Sequence, residues 1–175
     1  MRWVALLRGV NLGARNKVPM AKLRELLDEA GYENVRTFIA SGNVLLDAPP
    51  GAAKLAAALE RLVGEELGVT TTVILRKPRE LAGTVAAHPF GPDTSKTHVA
   101  FLAGRPAEAA ADRLAAVDGG ADRAVLVGSD VYLRLSDGVH GTRLSITRVE
   151  SLLGVSATVR NWRTVAALAH LAAEA

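Results

Sequence analysis

The order of apolar segments in the first 75 residues is the feature that most constrains the fold. Runs typical of β-strands cover residues 3–8, 35–40, 44–47 and 69–75. Between them, apolar residues recur at helical spacing from Met20 to Ala30 and from Leu55 to Gly68. The triplet Ser41-Gly42-Asn43 divides the middle two strands and has the composition of a hairpin turn. The order β-α-β-β-α-β predicts a ferredoxin-like split βαβ arrangement.

The second half of the chain repeats this order in part. Strand-like runs cover 99–103, 124–127 and 131–135, and helical patterns cover 106–117, 146–154 and 162–173. No clear last strand is visible. We therefore predict an α+β protein of two ferredoxin-like subdomains in tandem, the second less complete. The predicted boundaries are 1–77, a helical connection over 78–95, and 96–175 with a terminal helix.

Composition excludes several classes of function. The 175 residues include no cysteine, which rules out disulfides, thiolate nucleophiles and sulfur-ligated metals. No apolar run approaches the roughly 20 residues of a membrane-spanning helix, so we expect a cytoplasmic protein without a membrane partner. The net charge of +3 supports non-specific nucleic-acid binding only weakly. Aromatic residues make up 4%, which argues against a sheet that stacks single-stranded bases.

A basic loop follows the first strand. Residues 1–24 carry six basic side chains and no acid, and Arg8, Arg15 and Lys17 lie between the strand and the first helix. The loop lacks the Gly-Lys-Ser/Thr ending of a P-loop and the glycine triplet of a dinucleotide-binding turn. Cations are unfavourable at a helix N-terminus unless an anion compensates them. We therefore predict an anion site in which Asn11 and Asn16 orient the ligand. The alternative is that the basic side chains extend into water or pair with acids such as Asp28 and Glu29.

A second basic segment precedes the last helix. Arg160 and Arg163 flank Asn161, which has the side chain of a helix N-cap. Trp162 either anchors the helix to the core, the commoner role, or stacks on a planar ligand. We predict that Arg160, Asn161 and Arg163 contribute to the same anion site as the basic loop.

The turn Ser41-Gly42-Asn43 belongs to this predicted site as well. The first strand is central in this fold, so the turn is expected near the basic loop, where Ser41 and Asn43 would contact the ligand. No base has motif-like spacing to Ser41, so we do not assign it as a nucleophile. The four histidines lack metal-ligand spacing. Neither catalytic residues, a metal nor a cofactor is assigned.

Four segments resemble a known bacterial family, the domain of unknown function 1697. They are Leu-Leu-Arg-Gly-Val-Asn-Leu-Gly at 6–13, Asn-Lys-Val-Pro-Met at 16–20, Asn-Val-Arg-Thr-Phe-Ile-Ala-Ser-Gly-Asn-Val at 34–44 and Arg-Asn-Trp-Arg-Thr-Val at 160–165. The resemblance implies two ferredoxin-related α+β subdomains and no established activity. The chain departs from the family where a serine-lysine-leucine stretch is replaced by Gly141-Thr142-Arg143-Leu144, and where Val159 replaces a threonine.

Three hypotheses about function follow from the sequence. The first is binding of an anionic, phosphate-bearing ligand such as a nucleotide or nucleic acid. The second is an enzyme that acts on a phosphorylated or carboxylated metabolite, and the third is a protein-interaction or assembly module. The sequence does not specify the oligomeric state.

Overall fold

The computed structural model describes residues 1–174, which form eight strands and six helices. The strands are β1 Arg2–Leu7, β2 Glu33–Phe38, β3 Asn43–Asp47, β4 Val73–Arg76, β5 Thr97–Leu102, β6 Arg123–Val127, β7 Asp130–Arg134 and β8 Ala157–Asn161. The helices are α1 Met20–Glu29, α2 Ala52–Leu67, α3 Pro78–Ala86, α4 Ala110–Ala115, α5 Ile146–Leu153 and α6 Trp162–Ala173. By their packing the residues divide into two units. One comprises Met1–Leu81 and the chain from Leu168 onward, and the other comprises Ala82–Ala167.

The first unit contains an antiparallel sheet with the strand order β2-β3-β1-β4. Alternate residues of the central strand β1, namely Trp3, Ala5 and Leu7, belong to a core shared with apolar residues of α1 and α2. The intervening residues Val4 and Leu6 are fully buried too. Burial on both faces explains why β1 reads as a continuous apolar run rather than an alternating one. The predicted β-α-β-β-α-β order of this half is confirmed.

The second unit contains a sheet of the same form, with the order β6-β7-β5-β8. Its core joins Ala100 and Leu102 of β5 to Leu114 of α4 and to Val149 and Leu153 of α5. The tandem ferredoxin-like fold is therefore confirmed.

The expectation that the second half is less complete was wrong. Strand β8, Ala157–Asn161, pairs with β5 along its length and supplies the missing fourth strand. The segment was overlooked because its last two residues, Arg160 and Asn161, are polar and the run before them is only three residues long. A strand paired on one side with a fully buried neighbour does not need a long apolar run of its own.

Several predicted boundaries also differ from the structure, among them the start of β4, which lies at Val73 rather than Val69. Helix α4 is shorter than the predicted 106–117, because Ala109 has a left-handed backbone (φ +57°) directly before it. Strand β2 ends at Phe38 rather than Ala40, because Ile39 also lies in the left-handed region (φ +49°) and opens a turn over residues 39–42.

The two halves match beyond their strand order. Arg76 of β4 lies opposite Val4, and Arg160 of β8 lies opposite Val99, which is likewise the third residue of the first strand in its sheet. In each arginine Nη1 donates to the carbonyl oxygen of the preceding residue, at 3.0 Å in Arg76 and 2.9 Å in Arg160. Helix α3 begins shortly after Arg76 in the first half, and helix α6 begins shortly after Arg160 in the second half. The repeated unit is thus β-α-β-β-α-β-α, including the helix after the fourth strand.

Candidate functional site

The basic loop, residues 8–19, has a closely defined backbone. Four of its residues adopt left-handed conformations: Gly9, Asn11, Gly13 and Asn16. Asparagine is among the few residues other than glycine that tolerate this region. The backbone N–H of Asn11 donates to the backbone carbonyl of Asn16 at 2.9 Å, which closes residues 11–16 into a compact turn. The tip of this turn, from Leu12 to Arg15, is exposed.

The side chain of Asn11 holds the loop in place. Its Oδ1 accepts from the Val18 amide at 2.7 Å, and its Nδ2 donates to the carbonyls of Val18 (2.9 Å) and Ala40 (2.6 Å). Asn16 makes a smaller contribution through Nδ2, which donates to the Gly9 carbonyl at 3.1 Å. Both asparagines therefore determine the shape of the loop. Direct contact between either of them and a ligand stays a prediction.

The turn after β2, residues 39–42, packs against the basic loop, as strand order predicted. The Leu7 amide donates to the Gly42 carbonyl at 2.8 Å. Gly42 has a φ of +84°, and a Cβ atom there would lie 2.6 Å from Val10 Cγ2. Asn43 is fully buried, and its Nδ2 donates to Phe38 O at 3.0 Å and to Ser41 Oγ at 2.8 Å. Asn43 and Ser41 thus stabilise the turn, and a ligand contact by either stays a prediction.

The three basic residues of the loop differ in burial. Arg8 is half-buried, with its amide bonded to Thr72 O (2.9 Å) and its carbonyl accepting from Thr71 Oγ1 (2.7 Å). Arg15 and Lys17 are exposed, and neither forms an ion pair with any residue between 1 and 174. The alternative in which they pair with Asp28 or Glu29 is therefore not what the structure shows.

The N-terminus of α1 lies immediately after these charges. Its N-cap residue is Pro19, which makes no capping hydrogen bond, and its first turn contains no acid. The first amides of a helix have no partner within the helix and carry partial positive charge. Arg15, Lys17 and this helix start lie close together in the chain with no acid between them, and we call them together the basic corner.

A groove of about 570 Å³ opens beside the basic corner. Its walls come from the basic loop, the start of α1 and the end of β2 with its turn, and include Asn11, Lys17, Val18, Met20, Thr37 and Ile39. Ile39 is 52% exposed despite its apolar side chain. The sequence carried no signal for this groove, because it depends on the left-handed backbone at Ile39 and on the bond between Asn11 and Ala40.

The second basic segment has a different character. Arg160 is only 6% exposed, and its Nη1 also donates to Thr158 Oγ1 at 2.6 Å. Burial lowers the pKa of Arg160 to about 10, so the guanidinium is still charged at neutral pH. The predicted N-cap is confirmed, because Asn161 Oδ1 accepts from the Thr164 amide at 2.9 Å. Arg163 is exposed. A ligand shared between this segment and the basic loop stays a prediction.

Sequence reasoning missed a cluster in the second unit around His88. The His88 ring lies 4.5 Å from the Trp162 ring and 5.7 Å from Phe90, and its Nε2 is 2.8 Å from Thr97 Oγ1. Tyr132 also borders this ring, at 6.4 Å. The residues of this cluster come from separate parts of the chain, so no sequence spacing predicts that they lie together. Trp162 thus packs on a neighbouring side chain of its own unit.

Hydrogen bonds anchor Tyr132 at the edge of this cluster. Its hydroxyl donates to Thr84 O at 2.6 Å, and Thr84 Oγ1 donates to Asp130 Oδ2 at 2.5 Å. Burial, with a smaller effect of the Asp130 charge, raises the pKa of Tyr132 from 10 to about 12. The phenol is therefore neutral over the physiological range and acts as a donor.

Among residues 1–174, no three His, Cys, Asp or Glu side chains are grouped so that they could hold a metal ion. Within the same range, no helix has both the length and the apolar character needed to cross a bilayer.

Two ferredoxin-like α+β units in tandem, with a basic loop after the first strand, define the class of this protein. The chain belongs to the family described as "Protein of unknown function (DUF1697)", whose model matches residues 1–132. It is also similar in structure to the conserved bacterial protein SP0830 from Streptococcus pneumoniae, with a TM-score of 0.77 and 21% sequence identity over 98% of both chains. That similarity concerns the fold alone. A comparison with curated proteins produced no match.

Proposed function

We propose that this protein binds an anionic, phosphate-bearing ligand, such as a nucleotide or nucleic acid, at the basic corner. The observation that carries the proposal is that Arg15 and Lys17 are exposed, pair with no acid between residues 1 and 174, and shortly precede in the chain the uncapped start of α1. Each cation placed near a helix N-terminus costs about 0.3–1 kcal/mol of stability unless a negative charge compensates it. A bound phosphate removes that cost.

The available donors suit a phosphate. Arginine presents a planar fork of N–H groups that bonds two oxygens at once, and lysine adds a compact charge. The first amides of α1 supply neutral donors in the geometry that anions occupy at helix N-termini. Arg15 and Lys17 therefore complement one another in this proposal rather than duplicating a role.

The rigid backbone of the loop also favours binding. The Asn11 side chain holds the loop to its own C-terminal end at Val18 and to the neighbouring turn at Ala40. A loop that is already ordered loses little conformational entropy when it binds a ligand, so more of the contact energy is retained as affinity.

The proposal is tested by calorimetric titration of nucleoside monophosphates and of a short single-stranded RNA into the protein and two double variants. The test variant is Arg15→Gln with Lys17→Gln. The control is Arg24→Gln with Lys54→Gln, which removes the same charge from exposed helical positions. We expect the test variant to lose at least tenfold in affinity and the control to lose less than twofold. Equal losses, or no binding of any probe by the native protein, would contradict the proposal.

Two further measurements show whether the ligand is a nucleotide or a nucleic acid, and whether Arg163 contributes to the site. Affinity for nucleic acid falls steeply with salt because counterions are released, whereas a single nucleotide responds more weakly. Arg163→Gln tests whether the second basic segment shares the ligand. A tenfold loss of affinity in this variant supports a shared site, and unchanged affinity confines the site to the basic corner.

A further inference from the structure

The groove beside the basic corner is larger and more apolar than a phosphate requires. Its volume of about 570 Å³ lies in the range of small-molecule sites. Lys17 is the one charged residue among those that line it, and Val18, Met20 and Ile39 contribute apolar surface. A ligand that fills this groove therefore has an uncharged part next to its anionic group.

Ile39 is the least expected residue in the groove wall. Its φ of +49° is unfavourable for an L-residue and most unfavourable for a β-branched one. Glycine, asparagine or aspartate would adopt this conformation with less strain. Its side chain is 52% exposed, so burial in the core does not account for an isoleucine here. An exposed apolar side chain in the wall of a groove is available for contact with the apolar part of a ligand.

Asn11 links the two chain segments that carry the cationic and the apolar parts of the groove. Asn11 Nδ2 binds the Ala40 carbonyl at 2.6 Å, next to Ile39 in the chain, while Asn11 Oδ1 binds the Val18 amide, next to Lys17. One side chain therefore couples Ile39 to Lys17. A ligand with a phosphate at a set distance from a compact apolar group matches this arrangement.

We propose that the groove binds the planar base of a nucleotide, stacked on Ile39, while Lys17 and Arg15 bind its phosphate. This inference rests on the proposed function. Charge complementarity selects the phosphate, and the groove walls select the base. The Thr37 hydroxyl lies among the apolar side chains, and the edges of a heteroaromatic ring offer partners for a hydroxyl that an alkyl chain lacks.

The test compares four probes by calorimetric titration: inorganic phosphate, ribose 5-phosphate, hexyl phosphate and adenosine monophosphate. We expect adenosine monophosphate to bind at least tenfold more tightly than ribose 5-phosphate and hexyl phosphate. Ile39→Asn, which suits the left-handed backbone, should abolish this advantage and leave the affinity for ribose 5-phosphate within twofold. Ile39→Leu, which keeps an apolar side chain, should retain most of the advantage.

The outcomes distinguish the two proposals. Equal affinities for ribose 5-phosphate and adenosine monophosphate would overturn the base site while the phosphate site stands. Tightest binding of hexyl phosphate would overturn it in favour of an alkyl group. If no probe binds, both proposals fail. A melting temperature of Ile39→Asn at or above that of the native protein shows that lost affinity does not come from unfolding.

Discussion

Asn11 and Ala40 lie 29 positions apart in the chain and are joined by a hydrogen bond of 2.6 Å from Nδ2 to the carbonyl oxygen. This bond links the basic loop to the turn that follows β2. Because Asn11 also bonds both backbone groups of Val18, the loop, the turn and the approach to α1 depend on one amide group.

Replacing Asn11 with alanine is expected to destabilise the protein by about 2–4 kcal/mol, since three hydrogen bonds are lost at about 1 kcal/mol each. The matched control is Asn16→Ala, which loses one bond, to Gly9. Both asparagines have positive φ values, so the backbone strain of alanine is common to the two variants. Urea unfolding monitored by circular dichroism measures the difference. Equal losses of stability would contradict the role assigned to the Asn11 side chain.

Gly42→Ala is expected to destabilise the protein by about 2–4 kcal/mol, because left-handed strain adds to overpacking. The new Cβ would lie 2.6 Å from Val10 Cγ2 and 3.0 Å from Leu7 Cβ, and both neighbours are buried. Gly13→Ala provides the comparison, since Gly13 has a similar positive φ and no atom within 4 Å of its Cβ position. Gly13→Ala should destabilise the protein by about 1 kcal/mol. Denaturant unfolding measures the loss of stability in both variants. The difference between the two losses is the part caused by overlap of the new Cβ with Val10 and Leu7.

Ile39→Asn is expected to stabilise the protein by about 1 kcal/mol, because asparagine accepts a left-handed backbone more readily than a β-branched residue does. Val125→Asn is a suitable contrast: it also replaces an exposed β-branched residue, but one within the regular strand β6. There the change should be neutral or destabilising, since asparagine is disfavoured in strands. Thermal unfolding compares the two variants, and a destabilised Ile39→Asn would mean that φ at Ile39 is not a source of strain.

Tyr132 should make stability fall between pH 10 and pH 12. Its pKa is raised to about 12 in the folded protein, whereas an unfolded tyrosine ionises near 10. Above pH 10 the folded state therefore holds a proton that the unfolded state has released, and stability decreases as pH rises until the folded pKa is reached. Tyr132→Phe should flatten this part of the pH profile in denaturant titrations.

The same variant has a cost at neutral pH. Tyr132→Phe removes the donor to the Thr84 carbonyl, a bond of 2.6 Å, and is expected to lose about 1–2 kcal/mol at pH 8. A variant that loses stability at pH 8 yet keeps the full decline above pH 10 would show that another group causes the alkaline sensitivity.

Local pattern was sufficient to predict most of the fold. The strands and helices of the first half, and the N-cap at Asn161, are visible because apolar spacing and capping chemistry are properties of neighbouring residues. Strand β8 was missed because its strand character comes from pairing with β5, which lies far away in the sequence. The burial of Arg160 was missed for the same reason.

The sequence indicates which charges the proposed site would use but not the shape of the groove. Counting basic residues before the first acid located Arg15 and Lys17. The groove depends instead on the positive φ of Ile39 and on a hydrogen bond across 29 residues. An isoleucine is a poor sequence signal for a left-handed turn, so a strand extending to Ala40 was the natural prediction.

The repeat that aligns Arg76 with Arg160 means that one half of the chain can be compared directly with the other. Both halves preserve the same framework, down to the bond from each arginine to the preceding carbonyl. The connections after their first strands differ. The first is rich in left-handed residues and contains no acid, whereas the second, residues 103–109, contains Glu108 and one left-handed residue, Ala109. The two halves thus act as internal controls for each other: they share a framework and differ in the backbone conformation and charge of this one connection.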